Sequence, residues 1–127
     1  MKNMQESDTI LVQELSLSFQ NQLSFYQELR DTVRSITSKL ILSRGDMSGL
    51  LSGMEKKKKL LDAIQQERLR SSENVALWQE RRNLYSVNAE IQALNDILAQ
   101  TEKVIKEFLE GEDQLKKYLE KMYRKDS

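Results

Sequence analysis

The sequence LYSVNAEIQALNDILAQTEKVIKEFLEGEDQLKKYLEKM, from Leu84 to Met122, decides the fold of this chain. Read as a heptad repeat with Leu84 at position a, it has apolar side chains at all a and d positions except Thr101 and Glu112. Apolar residues spaced alternately three and four apart lie on one side of an α-helix. An unbroken helix here would be about 58 Å long at about 1.5 Å per residue, so it needs a partner surface.

The apolar stripe of this stretch is wider than the seam of a two-stranded coiled coil. Additional apolar residues occupy the flanking e and g positions: Ile97, Val104, Leu109, Tyr118 and Tyr123. A wide stripe is typical of a bundle helix that contacts two neighbouring helices, or one neighbour and one bound partner. We therefore expect an all-α fold in which long antiparallel helices form a coiled-coil-like hairpin or a bundle of three to four helices.

The composition indicates one mostly helical domain covering residues 1–127. The chain has no proline, four glycines, 31% charged residues and 39% hydrophobic residues, which is too apolar for a disordered tail. Twenty basic residues balance twenty acidic ones, so no net charge attracts nucleic acid or an anionic membrane. The basic run Lys56–Lys59 lacks interleaved aromatic residues, and we expect no nucleic-acid partner.

The absence of cysteine and histidine removes whole classes of chemistry. It excludes disulfides, thiolate and imidazole metal ligands, and nucleophiles activated by histidine. We expect no enzymatic activity, no cofactor and no metal.

The first thirteen residues lack the apolar core of a signal peptide, and no stretch has the length of a membrane span. These features predict a cytoplasmic protein that does not insert into a membrane.

Three helical segments are expected. The first should cover about 8–43, capped by Ser7 or Asp8. Gly45 can end a helix and Asp46 can cap the next, although a helix that runs straight through this site is the alternative, since one glycine costs only about 1 kcal/mol. The second segment should cover about 46–70, followed by a long or broken C-terminal helical region at 74–123.

Two stretches of the middle segment are less regular. We expect the lysines of the run Lys56–Lys59 to lay their stems over apolar surface while their ammonium groups reach water. Residues 65–74 are so polar that the helix there should be exposed, frayed or broken. Trp78 is expected to anchor the core. The chain should break once before its last helix, either at 70–74 or near 86–88. The apolar period is continuous from Leu84, which favours the break at 70–74.

The stretch LILSRGDMSGLLSGMEKKKKLLDAIQQER, residues 40–68, resembles the central region of FlgN-type flagellar type III export chaperones. In that family an apolar triplet is followed by a small-residue and acidic step, spaced leucines, lysines and a Leu-Leu-x-x-Ile segment. The matching residues here are Leu40–Leu42, Gly45, Asp46, Leu50, Leu51, Lys58, Lys59, Leu60, Leu61 and Ile64.

This resemblance implies a fold and a function. The fold would be a bundle of long antiparallel helices. The chain would be a non-enzymatic chaperone that binds C-terminal helical segments of flagellar hook-associated proteins and delivers them to the export apparatus. In such chaperones the C-terminal helical region supplies the substrate surface, which corresponds here to about 99–123.

The wide C-terminal stripe offers candidate partner-binding residues, because apolar side chains left exposed in the free protein can be covered by an amphipathic helix. The candidates are Ile105, Phe108, Leu109, Leu115, Tyr118, Leu119, Met122 and Tyr123. The same residues also fit an ordinary bundle core. A second hypothesis is a structural coiled-coil stalk or scaffold, which would resemble the FliJ type and have two helices spanning about 80 to 90 Å. Both hypotheses leave a homo-oligomer open.

Overall fold

The computed structural model describes residues 4–126, which form three long α-helices. α1 spans Glu6–Leu42, α2 spans Leu50–Arg81 and α3 spans Ala89–Asp126, and one 3₁₀ turn, Arg82–Leu84, follows α2. Residues 4–126 contain no β-strand. The helices pack against one another through α1, so the all-α bundle expected from the sequence is confirmed, with three helices.

α2 runs antiparallel to α1. Ile36 lies against Gly53 near the connecting turn, and Asp8 pairs with Arg81 at the opposite end. A Cβ atom added to Gly53 would lie 2.5 Å from Cγ1 of Ile36. Glycine therefore allows the α2 backbone to approach α1 more closely than any other residue would.

α3 runs parallel to α1 and rests on its other side. Val33 lies against Gly111, and the Tyr118 hydroxyl donates a hydrogen bond of 3.2 Å to the Leu40 carbonyl. In the part of the chain that the structure describes, no Cα atom of α2 lies within 8 Å of a Cα atom of α3. The backbones of α2 and α3 therefore stay apart, and the seam between them over α1, which we call the α2–α3 groove, is bridged by side chains such as those of Lys57 and Glu112.

The start of α1 differs from the sequence prediction. Gln5 occupies the cap position, and neither Ser7 nor Asp8 caps the helix. The Asp8 side chain is 2% exposed and points inward to Arg81. Its carboxylate makes a tertiary contact that local capping rules cannot detect. The helix ends at Leu42, close to the predicted end at residue 43.

Residues 43–49 connect α1 to α2. Arg44 and Gly45 have φ angles of 57° and 95°, and the Gly45 amide donates a 2.8 Å hydrogen bond to the Leu40 carbonyl. This left-handed pair ends the helix where Gly45 predicted an end. The alternative of one helix running straight through this site is wrong.

The second helix starts later than predicted. It begins at Leu50 rather than at residue 46. Asp46 does not cap it; one of its carboxylate oxygens accepts a 3.0 Å hydrogen bond from the Ser48 amide within the turn. A short-range Asp turn of this kind competes with helix capping for the same side chain.

The predicted end of this helix near residue 70 is wrong, and so are the break and the fraying considered for 65–74. The exposed alternative holds, since most of these residues are exposed and only Glu67 and Ser71 are buried. α2 is continuous through this stretch. Leu69 is 66% exposed, whereas polar side chains take the buried positions. The register of the helices brings buried polar residues of all three to one level, which we call the polar layer: Ser18, Gln22, Glu67, Ser71 and Thr101. No buried side-chain nitrogen or oxygen in the described residues lacks a hydrogen-bond partner.

The chain breaks instead between the 3₁₀ turn and α3, at 85–88. The side-chain oxygen of Asn88, Oδ1, accepts a 2.8 Å hydrogen bond from the Ile91 amide and so caps α3. Leu84 and Val87 are exposed. The continuous helix predicted from Leu84, and the predicted start of the last segment at residue 74, are therefore wrong, because the cap at Asn88 interrupts the apolar period.

Two apolar clusters fill the space between the helices, on either side of the polar layer along α1. The upper cluster, nearer the 43–49 turn, consists of Leu29, Val33, Ile36, Leu40, Leu60, Ile64, Phe108 and Leu115. The lower cluster consists of Leu11, Val12, Leu15, Ile91 and Leu94. Each cluster draws on α1, which explains why α1 has the most buried apolar side chains of the three helices.

The helices are too short for the stalk expected under the second hypothesis. The longest, α3, has 38 residues and measures about 57 Å at about 1.5 Å per residue. None of the helices in residues 4–126 combines the length and the apolar character that crossing a membrane requires.

Candidate functional site

The eight residues predicted to bind a partner divide between the core and the surface of α3. Phe108 and Leu115 are buried in the upper cluster, and Tyr118 and Leu119 pack against it. Met122 extends over Gly45 in the turn. For these five the alternative interpretation as bundle core matches their positions in the structure.

The remaining three residues lie on or near the surface. Leu109 is 58% exposed and Tyr123 is 73% exposed, while Ile105 is partly buried. Leu109 follows Ile105 by one turn, and Tyr123 lies about four turns further along the same side of α3. The first two belong to a shallow patch, which we call the outer α3 surface, formed by Ala99, Glu102, Lys103, Ile105, Lys106, Leu109, Glu110 and Asp113.

Three ion pairs, formed by two glutamates of α3, hold the rotation of α3 about its axis and so help to decide which side faces outward. Glu107 pairs with Arg30 and Arg34 of α1 at 3.3 Å and 3.1 Å. Glu112 pairs with Lys57 of α2 across the α2–α3 groove. With its carboxylates bound on both flanks, α3 turns Leu109 away from α1 and into solvent.

The Lys57–Glu112 ion pair also explains two irregularities of the sequence. Glu112 interrupts the apolar heptad of α3, and Lys57 stands where the apolar stripe of α2 should continue. Lys57 is buried, unlike the other lysines of its run. Each charge therefore occupies a position that an apolar residue would take, and each neutralises the other. The prediction that these lysines all reach water is wrong for Lys57.

A second concave region, which was not predicted, lies where α2 ends and α3 begins. It is a cleft of about 510 Å³ between the end of α2, the start of α3 and α1 beneath them. We call it the Trp78 cleft. Its apolar lining consists of Leu15, Phe19, Val75, Trp78, Val87, Ile91, Leu94 and Leu98, and its polar lining consists of Gln79, Arg82, Asn83, Tyr85 and Asn95.

Trp78 connects this cleft to the core. It packs against the lower cluster, in keeping with the expected role of a core anchor, and it also lines the cleft. The periodicity of the sequence could not reveal the cleft, because it depends on the break at 85–88. The signal for that break was Asn88, a good helix cap placed three residues before Ile91.

A buried polar network closes the end of the bundle beside the cleft. Asp8 accepts a short hydrogen bond from the Tyr85 hydroxyl and one of 2.6 Å from Arg81. The Tyr85 hydrogen bond, followed by the Arg81 hydrogen bond, holds the pKa of Asp8 below its ordinary value although burial acts in the opposite direction. The same carboxylate raises the pKa of Tyr85. The network ties the start of α1 to the connection between α2 and α3.

No protein-family model, curated protein or solved structure matches this chain. Among residues 4–126, no three acidic side chains lie close enough together to hold a metal ion. The chain therefore has two candidate sites: a patch on the outer side of α3, and a cleft formed by α1, α2 and α3.

Proposed function

We propose that this chain is a non-enzymatic export chaperone of the FlgN type. It binds C-terminal helical segments of flagellar hook-associated proteins in the cytoplasm and delivers them to the type III export apparatus. The proposal rests on the resemblance of residues 40–68 to that family and on the surface that α3 presents.

The observation that carries the proposal is the exposure of Leu109 and Tyr123 on the later half of α3. Both are large side chains, and they stand on the same side of α3 as Ile105. An amphipathic helix laid along α3 would cover them and gain about 25 cal/mol for each Å² of apolar surface removed from water. Acidic and basic side chains alternate around Leu109, which suits a partner that carries both signs.

Helix-in-groove recognition also fits the architecture. Four-helix bundles surround a central core with four helices, whereas residues 4–126 of this chain form three long helices. A guest helix placed beside α3 would add a fourth helix to the three that the chain provides. The partner would then be recognised by apolar side chains at helical spacing, rather than by a fixed sequence.

The test measures binding of purified full-length chain to synthetic peptides that reproduce the C-terminal segments of hook-associated proteins. Isothermal titration should give saturable binding to these peptides and none to scrambled versions. Leu109→Glu and Tyr123→Ser should each weaken binding about tenfold or more, because a central interface contact typically contributes more than 1 kcal/mol.

The matched control is Leu17→Glu. Leu17 lies on α1 and is 66% exposed, so the change of side chain is the same as at Leu109 but on a different helix. Binding should be unaffected by this substitution. The proposal is refuted if no C-terminal segment binds, or if Leu17→Glu weakens binding as much as Leu109→Glu.

A further inference from the structure

The Trp78 cleft has the size and composition of a binding site, and nothing in the proposed function uses it. Its volume of about 510 Å³ falls within the range of about 300–1,000 Å³ typical of ligand sites, which are mostly apolar with a few polar groups. Trp78 and Phe19 supply aromatic surface from two different helices. Leu98 of this cleft lies some 16 Å along α3 from Leu109 of the outer α3 surface, at about 1.5 Å per residue.

The polar groups of the cleft are all donors or neutral amides, with one cation and no carboxylate. They are Gln79, Arg82, Asn83 and Asn95, together with the Tyr85 hydroxyl. The Tyr85 hydroxyl is already bonded to Asp8. Within residues 4–126 the side chains of the other four make no hydrogen bond and no ion pair. Arg82, exposed and without an ion-pair partner among those residues, is therefore the one charged residue that lines the cleft, and a carboxylate on a docked partner would complement it.

The shape of the cleft indicates a helix as occupant. Its walls are the antiparallel helices α2 and α3, and α1 lies beneath them. Val87 and Leu98 are both exposed members of its lining, so part of the apolar lining is open to a partner. Two helical walls over the apolar residues Leu15 and Phe19 of α1 resemble the grooves in which other proteins bind the apolar face of an amphipathic helix.

We propose that the Trp78 cleft binds an acidic amphipathic helix of a second protein. The apolar face of that helix covers Trp78, Phe19 and Leu98, and one of its carboxylates forms a charge-assisted hydrogen bond with Arg82. This site is separate from the outer α3 surface and does not depend on what that surface binds. The chain would thus have two docking sites, one where α3 begins and one on the outer side of its middle part.

Trp78 provides the measurement, because it is the only tryptophan in the chain. Full-length protein is titrated with two synthetic peptides of about 18 residues, or five helical turns. Both peptides carry leucines at helical spacing; one has glutamate and the other lysine at the polar positions. The glutamate peptide should move the Trp78 emission to shorter wavelength until it saturates, whereas the lysine peptide should leave it unchanged.

Charge reversal tests the role of Arg82. Arg82→Glu should abolish the response to the glutamate peptide and create one to the lysine peptide, and Arg82→Gln should weaken glutamate-peptide binding about tenfold. The control Arg44→Glu makes the same change of charge on an exposed residue in the turn at the other end of the bundle. It should preserve the original preference. Circular dichroism verifies that each variant keeps its helical content.

Two further variants locate the site. Leu98→Asp should abolish the emission shift and Leu109→Asp should leave it intact. The proposal is overturned if neither peptide shifts the emission, if both bind equally well, if Arg82→Glu leaves the preference unchanged, or if Leu109→Asp abolishes the shift while Leu98→Asp does not. Failure of the export-chaperone proposal would not affect these outcomes, since the peptides here are defined only by charge and helical spacing.

Discussion

Lys57 of α2 and Glu112 of α3 form an ion pair that spans the α2–α3 groove, where the two helices have no backbone contact within 8 Å. Lys57 is buried and Glu112 is partly buried. The ion pair thus links two helices whose other contacts are mainly between side chains of the upper cluster. Removing one partner would leave the other charge in a poorly hydrated position.

Breaking this ion pair should destabilise the protein more than replacing both partners. Lys57→Met and Glu112→Leu should each lower the free energy of unfolding by about 1–3 kcal/mol, and the double variant should recover most of that loss. Urea unfolding of the four proteins in a double-mutant cycle measures the coupling. Lys58→Met, the exposed neighbour, serves as the control and should change the stability by less than about 0.5 kcal/mol. Strictly additive single effects would contradict the prediction.

The Asp8 network predicts sensitivity to acid. Because hydrogen bonds from Tyr85 and Arg81 lower the pKa of Asp8 in the folded state, the stabilisation is fully present above its unfolded-state pKa of about 3.9. It is lost as the pH falls through the lower, folded-state value. Asp8→Asn should therefore cost about 1–3 kcal/mol at pH 7.

The difference in stability between the parent protein and Asp8→Asn should shrink steadily below about pH 4. Thermal unfolding followed by circular dichroism from pH 7 to pH 2 gives this difference directly. Asp62→Asn changes an exposed carboxylate on α2 and should follow the parent protein throughout. A difference that stays constant down to pH 2 would be inconsistent with the proposed role of the carboxylate.

Gly53 should resist replacement although it lies within a helix. In general, alanine in a helix interior is more favourable than glycine by about 0.5–1 kcal/mol. Here the new Cβ atom would lie 2.5 Å and 2.6 Å from two carbon atoms of the Ile36 side chain, which is buried in the upper cluster. Gly53→Ala should therefore destabilise by about 1–3 kcal/mol. Gly49→Ala, with no neighbour within 4 Å, should not, and equal effects of the two would disprove the packing argument.

Substitutions on the outer α3 surface should weaken partner binding without lowering the stability of the fold. Leu109→Glu and Tyr123→Ser should change the free energy of unfolding by less than about 0.5 kcal/mol, because both side chains are exposed. Phe108→Ala, one residue away from Leu109, should cost about 3–5 kcal/mol, because Phe108 belongs to the upper cluster. Urea unfolding distinguishes the two classes. Similar losses for Leu109→Glu and Phe108→Ala would mean that Leu109 is a core residue.

Much of the fold could be predicted from the sequence, because apolar periodicity reports which side of a helix is buried. It predicted three helical segments and the turn at Gly45. It failed at 65–74, where the buried positions are polar: a hydrophobic pattern cannot distinguish Glu67 and Ser71 in the polar layer from exposed residues. It also failed at Asn88, because the apolar phase happens to continue across the cap.

The candidate site was predicted less well than the fold, since a wide apolar stripe contains both core and surface. The sequence placed Phe108 and Leu109 in one binding set, and only the rotation of α3 separates them. That rotation is fixed by Glu107 and Glu112, whose partners are far away in the sequence. The Trp78 cleft depends on three helices and a loop, and no single stretch of sequence contains it.

The central position of α1 has a consequence for the order of folding. The contacts of α1 with α2 begin at a short turn, so this hairpin can close with little loss of chain entropy, whereas Leu40 and Tyr118 are separated by 78 residues in the sequence. Contacts between residues so far apart form late. Since α3 follows α1 and α2 in the sequence, we expect the α1–α2 hairpin to form before α3 docks. Docking of α3 is then the step that builds both candidate sites at once.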